Sequence, residues 1–134
     1  MDLSQKDWVS RLKKNKNNEL IDVRSLEEHK NERIPNSTLI DINYPKEFLE
    51  NLESMDKNKS YFIYCRSGNR SSKACFIMNS MGFKKTFNLL GGILEWEGEI
   101  EESIIPLSKY SENTNYLYWF DFSSIVIEEF YVSN

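Results

Sequence analysis

The chain has 134 residues, enough for one domain with a single core, and a hydrophobic fraction of 40%, ordinary for a globular protein. Its net charge of −4 argues against nucleic acid as the main partner, since phosphate binding wants a basic surface; the basic cluster Lys13, Lys14 and Lys16 reads as a solvated helix end. MDLSQKDWVS, at the start, has no apolar signal core, and no run approaches the roughly 18 apolar residues of a membrane span, so the expected setting is the cytoplasm with Cys65 and Cys75 reduced.

In chain order, Ser4 followed by Asp7 has the pattern of a capping box opening a first helix, with Trp8, Val9 and Leu12 on its apolar side and NKNN ending it. ELIDV (19–23) reads as a buried strand and SLEEHKNE (25–32) as a short helix stopped by RIPN. STLIDI (37–42) is the second predicted strand. Pro45 fits the first turn of a helix through KEFLENLESM. SYFIY (60–64) is the third and most apolar strand. Ala74, Ile77, Met78 and Met81 recur at helical spacing, with Gly82 as the stop. KTFNLL (85–90) is a fourth strand, and GGILEWEGEI is expected to start another helix. Short apolar strands alternating with helices predict an α/β fold with a small parallel sheet covered on both faces, whose sites gather where strands end and helices begin.

One such junction is YCRSGNRSS (64–72). Cys65 ends the most apolar strand, and a helix is expected to begin near Ser71 or Ser72. Gly68 permits unusual backbone angles, so the loop is able to curl its N–H groups inward around an anion. A helix N-terminus adds free donors and a positive dipole end, and Arg66 and Arg70 add formal charge. Such surroundings lower a thiol pKa. A drop of about 2 units, from about 8.5 to about 6.5, raises the thiolate fraction at pH 7 about 25-fold, while intrinsic nucleophilicity falls about 8-fold. The net gain in attack rate is only about 3-fold, so activating the nucleophile is a weak reason for so many donors. Stabilising a negative species on or against the sulfur is a better one.

Three stretches together resemble the rhodanese domain family of sulfurtransferases, over about residues 3–105: LIDVRSLEEHKNERIPNS with Asp22, Arg24 and Glu28; YCRSGNRS; and MGFKKTFNLLGGILEW with Leu90-Gly91-Gly92 and Trp96. The resemblance implies a rhodanese-like fold and a mechanism. Cys65 takes the outer sulfur of a small anion such as thiosulfate, carries it as a persulfide, and yields it to a thiol or other thiophilic acceptor. The loop of Arg66, Ser67, Gly68, Asn69, Arg70 and Ser71 holds the persulfide, and no metal or organic cofactor is needed. Four residues separate Cys65 from Arg70. Thiolate phosphatases of related type place five there, and the shorter loop suits a single sulfur atom. Arg33 and Asn36-Ser37 depart from the His and Gly-Ala that often flank the family's Ile-Pro turn; Asn36 is expected to preserve that turn by accepting positive φ.

The remaining candidates have plainer readings. Cys75 is expected to pack in a helix, and His29, the lone histidine, to lie on the surface, which leaves no Cys-His pair and no histidine metal cluster. Asp22 and Arg24 are expected to support neighbouring loops, Trp96 to be core, and Gly91 and Gly92 to turn the chain close to the Cys65 loop. The hydroxyls of Ser67 and Ser71 have two readings of equal weight, donors to a bound anion or helix caps. Residues 1–105 form the expected domain. Residues 106–134 hold eight of the chain's 18 aromatics, too many for a solvated tail, and are expected to form packed strands or a hairpin that covers the domain, pairs in a dimer or docks a protein partner. The alternative to an enzyme acting on free thiosulfate is a sulfur-relay or protein-binding module; the intact cysteine loop favours the enzyme.

Overall fold

A computed structural model describes residues 1–103. The expected strands of residues 106–134 lie outside the described residues. Nine regular elements run in the order β1 (Asp2–Leu3), α1 (Gln5–Lys14), β2 (Asn18–Asp22), α2 (Leu26–Asn31), β3 (Thr38–Leu39), α3 (Pro45–Glu53), β4 (Ser60–Tyr64), α4 (Asn69–Ser80) and β5 (Lys85–Leu89), followed by a 3₁₀ turn over Ile93–Glu95. The strands form one sheet in the order β1-β5-β4-β2-β3, and every pairing is parallel.

The sheet's centre is β4, whose five residues are all buried. A strand alternates its side chains between faces. Tyr61, Ile63 and Cys65 therefore join one core cluster with Phe48 and Leu52 of α3 and Ala74, Cys75 and Met78 of α4. Phe62 and Tyr64 join the opposite cluster with Trp8 of α1, Phe87 and Leu89. Trp8 packs edge-on against both Phe62 and Trp96 and donates its indole N–H to the Phe87 carbonyl, 3.1 Å away. Helices thus cover both faces, as a parallel sheet requires.

Local signals account for most boundaries. Ser4 caps α1 by accepting the Asp7 N–H, but the full reciprocal capping box forms at Ser25 and Glu28 on α2. Pro45 opens α3. Asn36 has φ 68°, so the Ile-Pro turn does survive on an asparagine. Two expectations are corrected. The helix after Cys65 begins at Asn69, not near Ser71 or Ser72, because Gly68 at φ 107° serves as its N-cap and its carbonyl accepts the Ser72 N–H. The helix expected from GGILEWEGEI is a single 3₁₀ turn. Its N–H groups are taken elsewhere: Ile93 donates to the Cys65 carbonyl at 2.9 Å, Leu94 to the Arg66 carbonyl at 3.0 Å, and Glu97 to the Gln5 side chain at 2.7 Å. The two-residue strand β1 was not expected from the sequence; it lies beside β5 at the sheet edge. Among the described residues, no helix is long and apolar enough to cross a membrane.

Candidate active site

Cys65 leaves the carboxyl end of β4 with its side chain buried, 1% exposed. The αL turn at Gly68 doubles the chain back, so the first N–H groups of α4 face the sulfur. Sγ accepts the Gly68 N–H at 3.1 Å and the Ser71 N–H at 3.4 Å, and the Ser71 hydroxyl lies within hydrogen-bond reach of it at 3.3 Å. Burial by itself pushes this thiol's pKa up, but the Ser71 hydroxyl and the N–H groups of Ser71, Gly68 and Ser67 outweigh it and hold the pKa below its ordinary value. The two serine readings are therefore resolved differently. Ser71 is buried and bonds the sulfur, whereas Ser67 is exposed and contributes its backbone N–H. Neither side chain caps α4.

A second segment braces the loop from outside. The Ile93 and Leu94 bonds to the Cys65 and Arg66 carbonyls bring Gly92 so close that a Cβ on it would strike both carbonyls, and its φ is 59°. Gly91 and Gly92 do turn the chain against the loop.

The two arginines, expected to add formal charge to the loop, differ from each other. Arg70 makes a bidentate ion pair with Glu28, at 2.8 and 3.0 Å. The Arg70 guanidinium pulls the Glu28 carboxyl down to about 2. Most of the Arg70 charge is thus spent tying α4 to α2, and the donors on the sulfur are dipoles, not ions. Arg66 and Asn69 are exposed. Arg66 also walls a cavity of about 200 Å³ with Arg24, Glu28, Glu32 and Leu94, which lies beside the sulfur loop and is not lined by Cys65 itself.

Asp22 and Arg24 come together with each other and not with the sulfur. Asp22 Oδ1 accepts the Arg24 backbone N–H and Nε, both at 2.9 Å. Its Oδ2 accepts Arg24 Nη2 at 2.8 Å and the Tyr64 hydroxyl at 3.1 Å. His29 Nδ1, 2.9 Å from the same oxygen, completes the set. Burial opposes charge on Asp22, but the bonds from His29 and Arg24 prevail and lower its pKa. His29, expected on the surface, is only 6% exposed. A single histidine beside acidic residues on a six-residue helix looks solvated in sequence; only the packing of α2 against β2 turns it to a buried carboxylate.

Sequence reasoning did not select Asn88 of β5, 1% exposed, whose Oδ1 faces the Ser71 hydroxyl. A polar residue inside the apolar run FNLL was the available signal. Glu28 was noted as part of a motif but not as the partner of Arg70. Among the described residues, no group of three or more His, Cys, Asp or Glu side chains is arranged to hold a metal ion.

The family model for the rhodanese-like domain matches residues 5–99. The chain is 42% identical over 80 residues to "Putative sulfurtransferase YtwF" of Bacillus subtilis (strain 168), covering 60% of this chain and 74% of that protein. It is 33% identical over 82 residues to "Putative sulfur carrier protein YrkF" of the same organism, covering 61% of this chain and 43% of that longer protein. A rhodanese-like domain protein from Staphylococcus aureus superposes with a TM-score of 0.65 at 30% identity, covering 75% of this chain and 96% of that one. Motif order, sheet topology and these matches agree, and the chain belongs to the rhodanese-like domain family.

Proposed function

We propose that the protein is a sulfurtransferase that moves sulfane sulfur from a small anionic donor such as thiosulfate to a thiol or other thiophilic acceptor through a persulfide on Cys65. The observation that carries this reading is the set of donors converging on one buried sulfur: two N–H groups and a hydroxyl within 3.4 Å of Sγ. The backbone N–H donors favour a negative atom without reorganising during reaction.

In the first step the Cys65 thiolate attacks the outer sulfur of thiosulfate. A new S–S bond forms, the donor's own S–S bond breaks, and sulfite leaves with the electron pair. The terminal persulfide sulfur is anionic and sits where the N–H groups of Arg66, Ser67, Gly68, Asn69, Arg70 and Ser71 surround it. In the second step a nucleophilic acceptor takes that terminal sulfur, and the Cys65 thiolate is released. Cyanide as acceptor gives thiocyanate. Arg66, exposed at the rim, attracts the donor's charge. Asp22 and Arg24 keep the strand end and α2 in place. This reading assigns residues 1–105 to the sulfurtransferase domain and leaves no step to a metal or organic cofactor.

Incubation with thiosulfate tests it by intact mass: one added sulfur on the protein, absent from Cys65→Ser and discharged as thiocyanate by cyanide, supports the proposal. An unchanged mass with the thiol reduced and intact defeats the thiosulfate reading. The likeness to a protein named as a sulfur carrier favours a second reading, a relay whose donor and acceptor are proteins; a persulfide formed from a protein donor but not from thiosulfate would select it.

A further inference from the structure

Asn88 is buried between Phe87 and Leu89, one residue before the end of β5. The proposed chemistry gives it no role. Its amide is held from three sides: Nδ2 donates to Asp2 Oδ1 at 2.9 Å and to the Gly68 carbonyl at 3.3 Å, and Oδ1 lies 2.5 Å from Ser71 Oγ. Asp2 and the Gly68 carbonyl are both acceptors, so the NH₂ end must face them and Oδ1 must face Ser71.

A serine hydroxyl carries one hydrogen. Here two acceptors compete for it, Asn88 Oδ1 and Cys65 Sγ, the latter at 3.3 Å. Two oxygens this close need the hydrogen between them. The hydroxyl hydrogen therefore lies toward Asn88 in this geometry, and Oγ turns a lone pair to the sulfur. That arrangement suits a neutral S–H, which donates to Oγ. An anionic sulfur needs the opposite: the hydroxyl must rotate and give its hydrogen to Sγ, leaving Asn88 Oδ1 without its donor.

We propose that Asn88 is a positioning residue that competes with Cys65 for the Ser71 hydroxyl hydrogen, so that the loop shelters the neutral thiol at rest and commits the hydroxyl to the sulfur only once the sulfur is anionic. The thiol proton goes to solvent; the Ser71 hydrogen stays on Oγ and changes only direction. Of the charged groups around the loop, Arg70 of α4 acts on the sulfur while paired with Glu28 of α2, and Arg66 of the loop is exposed. Asp2 of β1 lies behind Asn88, and Asp22 lies one strand away with its charge matched by Arg24. None of these groups stands between Asn88 and Ser71, and the competition is a matter of hydrogen direction, not of ion pairing.

The inference rests on Cys65 being the reacting group proposed above, and its test does not require sulfur transfer. The rate of Cys65 alkylation by iodoacetamide is followed against pH, resolved from Cys75 by peptide mass, for the wild type, Asn88→Leu, Ser71→Ala and the double variant. Loss of the competing acceptor in Asn88→Leu is expected to move the midpoint to lower pH, with alkylation about three- to tenfold faster on the acid limb. In the Ser71→Ala background the same substitution is expected to do nothing. An unmoved midpoint, an upward shift, or an equal shift without Ser71 overturns the inference. Asn88→Ala replaces the Leu variant if thermal unfolding shows that the latter does not fold. Wild type that loads sulfur but shows no Asn88 shift refutes this inference alone; a shift in a protein that takes no sulfur refutes only the thiosulfate reading.

Discussion

Cys65 and Cys75 lie in the same apolar cluster, and neither is more than 4% exposed. Burial pushes both thiols up, yet the net pKa of Cys65 is lowered while that of Cys75 rises to about 11. The difference is position relative to α4. Cys65 faces the N-terminus of α4, where the first N–H groups have no partner within the helix and point at its sulfur. Cys75 lies in the body of α4, where the N–H groups are spent on the helix itself, and a side-chain bond with Thr86 does not offset its burial. Depth in the core therefore does not decide which way a thiol's pKa moves; access to unspent backbone donors does.

The sharpest way to break this contrast is to exchange each sulfur for oxygen. Cys65→Ser is expected to reduce sulfur loading and thiocyanate formation to background, while Cys75→Ser keeps both, as read by intact mass and a colorimetric thiocyanate assay. In the wild type, peptide-resolved alkylation at pH 7 is expected to favour Cys65 by at least about tenfold. Raising Cys75 two units above an ordinary thiol costs about 100-fold in thiolate and regains about 8-fold in nucleophilicity. Equal labelling would sink the contrast.

Asp22→Ala tests whether the neighbouring charged cluster takes part in the chemistry. It leaves the buried Arg24 guanidinium without its carboxylate, and urea unfolding is expected to show a loss of about 3–5 kcal/mol. Sulfur loading by the folded fraction is expected to persist. Gly68→Ala acts on the donors themselves. A side chain at φ 107° costs about 1–3 kcal/mol, and relaxing that angle turns the Gly68 N–H off the sulfur, so the alkylation profile of Cys65 moves to higher pH, toward that of Cys75.

The smallest effect belongs to Glu28. Its carboxyl titrates at about 2 in the fold against 4.5 ordinarily, so the stability it contributes is present above about pH 4.5 and is lost as pH falls through about 2. The pair is partly solvated, which limits that contribution to about 1 kcal/mol. Glu28→Gln is expected to be less stable than wild type by this amount at pH 7 in urea melts, with the gap closing as pH falls from 4.5 toward 2. A gap independent of pH would mean that Arg70 is held by something other than this ion pair.

Much of the architecture was legible in the chain because periodicity and punctuation are local. The apolar run SYFIY, Pro45 and the spacing of Ala74, Ile77 and Met78 each act within a few residues, and each produces the element expected of it. The cysteine loop was legible for the same reason: Cys65, Gly68 and Ser71 are near neighbours in sequence, and a glycine-turned strand-to-helix junction brings their donors to the sulfur with little help from elsewhere. What escaped was long-range. The segment after Gly92 has helical composition, but its N–H groups bond the carbonyls of Cys65 and Arg66, which it meets only in the folded sheet. His29 is buried because β2 presents Asp22 to it, and Arg70 is neutralised because α2 brings Glu28 across 42 positions of chain. Asn88 meets Ser71 because β5 lies beside β4. Composition and spacing determine a cysteine in a donor-rich loop, since those contacts are made by neighbours along the chain. Which charges remain beside it, and which hydroxyl hydrogen is free to reach it, only the tertiary structure decides, because those partners are distant in sequence and are selected by packing.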